Sequence, residues 1–206
     1  MLKLYYAPDT CALASHIALE EAGADYEAER MSFRADDQKK PAYLAINPKG
    51  RVPALVTERG ILTETPAILA FIAQSYPAAG LAPLADAFAF ARVQAFNSYL
   101  CSTVHVAHAH RMRGTRWADD PAAILEMQRK APSAVTEGFA LIERDMLAGP
   151  WVMGEAYTIC DAYLFTLAQW LEADRADLAR LPKVLEHRRR VAGRPAVQRA
   201  LAEELK

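Results

Sequence analysis

Cysteine is scarce in this chain of 206 residues, and neither sign of charge is in excess. The three cysteines, Cys11, Cys101 and Cys160, are far apart and form no Cys-x-x-Cys pair, which argues against a disulfide scaffold and a zinc site. The 24 basic and 25 acidic residues nearly cancel, so the overall charge does not favour nucleic acid or an anionic membrane. We therefore expect free thiols, no metal and no nucleic-acid partner.

Long apolar runs are also missing. No stretch approaches the roughly 20 consecutive apolar residues that a membrane-spanning helix needs. Residues 1–6 lack the basic start and long apolar run of a signal peptide. We expect a cytoplasmic protein with no membrane partner. The one basic cluster, residues 187–190, is interpreted as the solvated face of a helix.

The apolar pattern divides the chain into two parts. Residues 1–80 alternate short segments in the order strand, helix, strand, helix, strand, strand, helix. Proline and glycine between residues 77 and 83 mark a boundary, and residues 86–206 are predicted to be helical. The expected fold class is an α/β domain of βαβαββα order followed by an all-helical domain.

Three details of the helices can be predicted from local chemistry. Residues 87–111 contain no proline or glycine and are predicted to form one long helix, whereas Pro132 should bend or split a later one. Thr158 and Asp161 have the spacing of a capping box. Thr65 is expected to cap a helix whose first position is Pro66, where the missing N–H does no harm.

Cys11 follows the first predicted strand, where the first helix should begin. Free amide hydrogens and the positive end of the helix dipole gather at such a position and lower a thiol's pKa. We therefore predict a reactive cysteine. The alternative is a buried, inert cysteine, which is common.

Pro53 enters a predicted strand directly after Val52. A proline in a sheet must lie at an edge or at a strand's start, because it donates no hydrogen bond to the ladder. A cis Val52-Pro53 bond would leave the Val52 backbone free to pair with an extended peptide ligand. The alternative is an ordinary trans proline at an edge.

Glu64 and Thr65 stand at the start of the third predicted helix. The helix N-terminus and the Thr65 hydroxyl suit a carboxylate, and the Glu64 carboxylate suits an ammonium group. Together they would accept an amino-acid head group. Alternatively, Thr65 only caps the helix and Glu64 only favours its dipole.

These elements, taken together, resemble the thioredoxin-like N-terminal domain of glutathione transferases. The resemblance rests on Cys11-Ala12-Leu13-Ala14-Ser15-His16, Asn47-Pro48-Lys49-Gly50-Arg51-Val52-Pro53 and Leu62-Thr63-Glu64-Thr65. The first of these stretches is similar to the bacterial beta class. The later half is similar too, through Thr158-x-x-Asp161-Ala162-Tyr163 and Arg194-Pro195-Ala196-Val197.

The resemblance implies glutathione as co-substrate, conjugated to small hydrophobic electrophiles by a homodimer, with thiol transfer or peroxide reduction as further activities. It implies that Cys11 and His105 are catalytic. It further implies that the helical domain, residues 86–206, supplies an apolar wall for the electrophile, for which residues 105–113 and Trp117 lie in a suitable region. It also implies a set of residues that bind glutathione: Cys11, Val52, Pro53, Glu64, Thr65, Ser98 and His105. Ser98 stands seven residues before His105, where the family often has asparagine.

Several alternatives stay open. A hydroxyl of Tyr5, Tyr6 or Thr10 could handle the sulfur in place of Cys11. The contact to the glycyl carboxylate could come from Arg34, Lys39 or neither. A non-catalytic protein that uses the same fold to bind ligands or partners is the alternative of a different class.

Overall fold

The first part of the molecule is built on a four-stranded sheet. The structure is a computed structural model, and it describes residues 1–205. The strands are β1 (Leu2–Tyr6), β2 (Tyr26–Arg30), β3 (Ala54–Thr57) and β4 (Gly60–Thr63). They lie in the order β2-β1-β3-β4, with β1 and β2 parallel and the other neighbours antiparallel.

Three helices complete this part and confirm the predicted βαβαββα order. They are α1 (Ala12–Ala22), α2 (Pro41–Leu44) and α3 (Thr65–Ser75). The expectation that Thr65 precedes its helix as the cap is wrong by one residue. Glu64 takes the capping position, with a positive φ of 73°, and its side chain makes no capping hydrogen bond.

The second part is helical, as predicted. Its helices are α4 (Ala87–Tyr99), α5 (His105–Met112), α6 (Pro121–Leu141), α7 (Ile159–Ala168), α8 (Pro182–Ala192) and α9 (Pro195–Glu204). None of the helices in residues 1–205 combines the length and apolar character that crossing a bilayer requires.

The long helix expected over residues 87–111 is confirmed as one helical stretch, but it contains a π-helical segment, Leu100–Val104, between α4 and α5. A π turn adds a residue to the turn and so changes which side chains face the first part beyond it. In contrast, α6 continues through Pro132 and is not split there.

The start of α7 is the best-anchored helix end in the second part. The capping box between Thr158 and Asp161 is confirmed. Asp161 is fully buried and also accepts hydrogen bonds from the Val152 N–H and the His187 ring, each at 2.8 Å. The interpretation of residues 187–190 as a solvated face is therefore wrong for His187, which is buried because it partners this carboxylate.

Helix α1 joins the two parts, since it packs against α3 on one side and against α7 and α9 on the other. At the rim of this contact, the Arg194 guanidinium donates to the Glu21 carboxylate at 2.8 Å. The N-terminus of α1, which follows Cys11, therefore lies beside a cleft between the two parts.

Candidate functional site

A cavity of about 580 Å³ occupies this cleft. One wall comes from loops and helix starts of the first part, and we call it the first wall. The other comes from the π segment, α5, the turn after α5 and residues near α7, and we call it the second wall. The cavity is lined by all but one of the predicted site residues: Cys11, Val52, Pro53, Glu64, Thr65 and His105.

Ser98 is the predicted residue that the structure does not bring to the cavity. It is exposed on α4 and lies outside the cavity lining of this chain, while its neighbour Asn97 is fully buried. Its assignment as a glutathione contact therefore remains a prediction.

The Val52-Pro53 bond is cis. Val52 lies before β3, and within residues 1–205 its N–H donates no hydrogen bond. The loop that presents it is fixed from behind, because the Tyr43 hydroxyl and the Asn47 side-chain amide both donate to the Arg51 carbonyl at 2.6 Å. The backbone at Val52 is thus held at the cavity wall with a free donor.

Gly50 makes the turn that leads to Val52 possible. Its φ is 59°, a left-handed value that residues with a Cβ rarely adopt. A Cβ at this position would also meet the Gln38 carbonyl oxygen at 3.0 Å. The turn therefore needs glycine for its backbone angle and for its close packing.

Glu64 is held in an uncommon backbone conformation that places its carboxylate at the cavity. Its φ of 73° is unusual for a residue with a Cβ and tends to occur where function requires it. The carboxylate accepts a hydrogen bond from the Lys49 ammonium group. The same ammonium group donates to the Thr63 hydroxyl at 2.6 Å. The Glu64 carboxylate therefore binds an ammonium group, that of Lys49, at the cavity.

Cys11 also lines the cavity, but its thiol is not activated in the way that its position suggests. The thiol donates to the Val52 carbonyl oxygen with a sulfur–oxygen distance of 3.6 Å. Burial raises the pKa of Cys11 to about 11, and the nearby Thr65 hydroxyl offsets only part of this increase. The predicted lowering of this pKa is therefore wrong, because loss of solvent outweighs the helix start.

His105 and His108 share one face of α5, as their spacing predicts, and both rings contact Trp170. The His108 ring is oriented by the buried Asp174 carboxylate, 2.7 Å from Nδ1. The pKa of His105 is lowered to about 4, mainly by burial and further by electrostatic interaction with the neighbouring His108, Arg116, Arg113 and Arg51. His105 is therefore uncharged at neutral pH.

Of the three hydroxyls that could contact the glutathione sulfur in place of Cys11, only one belongs to a residue that lines the cavity. Thr10 lines the cavity beside Cys11, whereas Tyr5 and Tyr6 do not. Tyr5 packs against Tyr43, with ring centroids 5.5 Å apart, and Tyr6 is buried in the core. Lys39 is likewise at the cavity, while Arg34 lies outside its lining.

Sequence reasoning placed residues 105–113 and Trp117 in the region of the second wall, and several of them line the cavity, but it did not single out the individual side chains described next. Cys101 and Tyr163 line the cavity opposite Cys11, and Arg51, Arg113 and Arg116 line its rim. Arg51 and Tyr163 belong to stretches that carry the family resemblance, whereas the other three come from separate segments without a local motif of their own. Within residues 1–205 no group of three or more histidine, cysteine or acidic side chains is arranged to hold a metal ion.

Comparison with known proteins agrees with this geometry. Residues 1–74 match the family model for the glutathione S-transferase N-terminal domain. The chain is 33% identical to glutathione S-transferase GstA of Escherichia coli O157:H7 over 98% of both chains. The chain belongs to the glutathione S-transferase family. A maleylacetoacetate isomerase of Pseudomonas aeruginosa is 27% identical over 97% of this chain and 95% of the isomerase.

Solved structures extend the similarity to the whole fold. A glutathione transferase homologue from Sulfitobacter, solved with bound glutathione, has a TM-score of 0.95 and 43% identity over 98% of both chains. The chain described here thus has the thioredoxin-like and helical architecture of a glutathione transferase.

Proposed function

We propose that the cavity binds glutathione in an extended conformation and that the enzyme joins the glutathione sulfur to a small hydrophobic electrophile, so that the whole tripeptide is transferred. The observation that carries this proposal is the juxtaposition at one cavity of a free backbone donor at Val52, the Glu64 carboxylate and the Cys11 thiol. The Sulfitobacter homologue with bound glutathione supports the same ligand.

Each part of glutathione has a matching group on the first wall. The cysteinyl backbone would pair with Val52 as an added strand. The γ-glutamyl ammonium group would bind Glu64, in place of or beside Lys49, and its carboxylate would lie at Thr65 and the start of α3. Lys39 is the cavity-lining cation that we assign to the glycyl carboxylate.

The reaction is nucleophilic attack by the glutathione thiolate. The thiol loses its proton, a carbon–sulfur bond forms, and the leaving group departs with its electron pair. Cys11 remains protonated at neutral pH because of its raised pKa, so it can donate a hydrogen bond to the developing thiolate. His105 is uncharged and can accept a hydrogen bond from the thiol before attack.

Thiol transfer or peroxide reduction through a Cys11–glutathione disulfide is the second candidate. The cavity position of Cys11 favours it, but its raised pKa makes it a poor nucleophile at neutral pH.

Isomerisation would begin with attack by the glutathione thiolate on the substrate and end with release of glutathione. The similarity to an isomerase supports testing for it. A non-catalytic ligand carrier is the remaining alternative. We further propose a cytoplasmic homodimer.

The test compares Cys11→Ser with Cys11→Ala in conjugation of glutathione to a chromogenic aryl halide. If Cys11 acts as a donor, the serine variant keeps most of the activity and the alanine variant loses about tenfold, the effect of one hydrogen bond to a charged group. Equal and complete loss in both, together with a glutathione adduct on Cys11 in mass spectrometry of the wild type, would favour the disulfide route. Absence of turnover with any electrophile would favour the carrier.

A further inference from the structure

Three arginines at the cavity rim have no acidic partner. Arg51 precedes Val52, Arg113 follows α5, and Arg116 ends the short turn Gly114–Arg116. Within residues 1–205 none of the three forms a salt bridge or side-chain hydrogen bond. The Arg113 guanidinium instead lies 5.7 Å from the centroid of the Phe33 ring.

Arginines without an acidic partner also occur elsewhere in residues 1–205, for example Arg30 and Arg92, whereas others are paired. Arg111, only two residues before Arg113, donates to the buried Asp174 carboxylate at 2.6 Å. Arg180 pairs with Glu137 at 2.7 Å. What distinguishes the rim is that three arginines without an acidic partner line the same cavity.

The three positive charges act on the same space. The pKa of Arg116 is lowered, first by partial burial and then by the charges of Arg51 and Arg113. All three arginines also lower the pKa of His105. Like charges that are held together without an acid repel one another, so the rim is suited to bind an anion.

Bound glutathione would not neutralise all the positive charge of the three rim arginines. Of the cavity lysines, Lys49 is already paired with Glu64 and Lys39 lies 2.9 Å from the Asp36 carboxylate. The glycyl carboxylate can neutralise one cation, while the γ-glutamyl carboxylate is accompanied by its own ammonium group. At least two of the rim arginines therefore remain for another ligand.

An apolar surface adjoins the arginines. Trp117, directly after Arg116, lines the cavity and is 47% exposed. Its ring packs edge-on against His110, with centroids 4.5 Å apart. The turn itself is tightly packed, since a Cβ at Gly114 would lie 2.9 Å from an Ile124 side-chain carbon. The second wall thus offers a flat apolar face beside two cationic side chains.

We propose that the second substrate is an electrophile with a flat apolar body and a carboxylate, which Arg113 and Arg116 bind with Arg51 opposite. This rests on the proposed function, because the glutathione site places the thiolate in the same cavity. Arginine binds carboxylates through paired, charge-assisted hydrogen bonds, which lysine does not reproduce.

A matched pair of probes isolates the carboxylate. In 4-chloro-3-nitrobenzoate and 4-chloro-3-nitrobenzamide the glutathione thiolate attacks the carbon that bears chlorine. The carbon–sulfur bond forms, chloride leaves with the electron pair, and the thiol proton passes to solvent. Each kcat/KM is divided by the uncatalysed rate of the same probe, which removes differences in intrinsic reactivity.

We expect the wild type to have the higher corrected kcat/KM for the benzoate. In the Arg113→Ala/Arg116→Ala double variant, the ratio of the benzoate value to the benzamide value should fall about five- to tenfold, as expected for the loss of exposed ion pairs. Arg59→Ala removes an arginine from the β3–β4 hairpin, outside the cavity lining, and should leave the preference unchanged. Added salt should reduce the preference in the wild type more than in the double variant.

The KM for glutathione separates the two possible roles of the arginines. A rise of that KM in the double variant, with the benzoate preference intact, would overturn the proposal and assign the arginines to the glycyl carboxylate. Calorimetric titration with the unreactive 3-nitrobenzoate, with and without glutathione, keeps the proposal testable if no turnover is found. Arginine-dependent binding of 3-nitrobenzoate but not 3-nitrobenzamide supports it, even where glutathione fails to bind. Equal binding of both probes contradicts it.

Discussion

The two walls of the cavity differ in the kind of group that they present. On the first wall the Val52 N–H donates to no group of residues 1–205 and is free for a ligand, while Cys11 donates to the Val52 carbonyl and Glu64 accepts from Lys49. On the second wall, Arg113 and Arg116 have no acidic partner within residues 1–205. The first wall is thus built around backbone geometry, and the second presents side-chain charge.

This difference fits our proposal that the first wall binds glutathione and the second wall binds the electrophile. Backbone donors, a helix start and a cis proline suit the part of the reaction that does not change, which is glutathione. Side chains on α5 and the following turn can be replaced without disturbing the sheet, so they suit the part that varies, which is the electrophile. The predictions below test whether the walls can be perturbed separately.

The largest effect is expected from Asp161, which supports the second wall from behind through the start of α7. Asp161→Ala should lower the free energy of unfolding by about 3 kcal/mol or more, because it leaves buried donors unpaired and removes a helix cap. Denaturant unfolding measures the change. Asp120→Ala, which removes an exposed cap at α6, is the matched control and should cost about 1 kcal/mol. Equal costs would show that burial of the carboxylate contributes nothing.

The next effect concerns the reactivity of Cys11. With its pKa raised to about 11, its alkylation by iodoacetamide at neutral pH should be about a hundredfold slower than that of an ordinary thiol of pKa about 8.5. The rate should rise with pH up to about 11, since the thiolate is the nucleophile. Mass spectrometry of the Cys11 peptide distinguishes it from Cys101 and Cys160. Fast alkylation at pH 7 would restore the prediction of an activated thiolate.

A smaller effect is expected at Gly50 on the first wall. Gly50→Ala should lower the free energy of unfolding by about 2 kcal/mol and weaken glutathione binding, because its φ and the Gln38 carbonyl both oppose a side chain. Gly80→Ala is the control, since Gly80 also has a positive φ but open space around it. Its cost should be about 1 kcal/mol, from the backbone angle alone. If both variants lose the same stability, the close packing at Gly50 is unimportant.

The smallest expected effect is a pKa change at His105. In the free protein an NMR titration of this ring should have its midpoint at about pH 4. Arg116→Ala should raise that midpoint by less than about one unit, because it removes one of several positive charges. Since the folded pKa lies below the unfolded value, His105 should reduce stability as pH falls from about 6.5 towards 4. A midpoint near 6.5 would show that His105 is neither desolvated nor within the field of the arginines.

The residues of the first wall could be predicted because its features are local and because together they resemble one family, although each feature alone left an ordinary structural alternative open. Proline after Val52 signals an exposed backbone, and the pair Glu64-Thr65 signals a helix start that suits an amino-acid head group. Each depends on a few neighbouring residues, and the structure places all of them at the cavity. The helical character of the second part was likewise predictable from composition and from the Thr158–Asp161 capping box.

The region of the second wall was expected from the family resemblance, but its individual side chains and the electrostatics could not be predicted because they depend on tertiary structure. The pKa of Cys11 is set by burial between the two parts, which a helix-start argument does not include. The π segment Leu100–Val104 changes the face that α5 presents, and nothing in its sequence marks it. Arg51 meets Arg113 and Arg116 only because the cleft brings distant segments together.

Glutathione binding to the first wall is the central claim, and calorimetric titration of the reduced protein tests it most directly. We expect one site per chain with a Kd tighter than about 1 mM. Glu64→Ala should weaken it about tenfold through loss of a charge-assisted hydrogen bond. Glu58→Ala, which removes the exposed partner of the N-terminal ammonium group, should leave it unchanged. Absence of binding at several millimolar, or equal binding by Glu64→Ala and the wild type, would contradict the account.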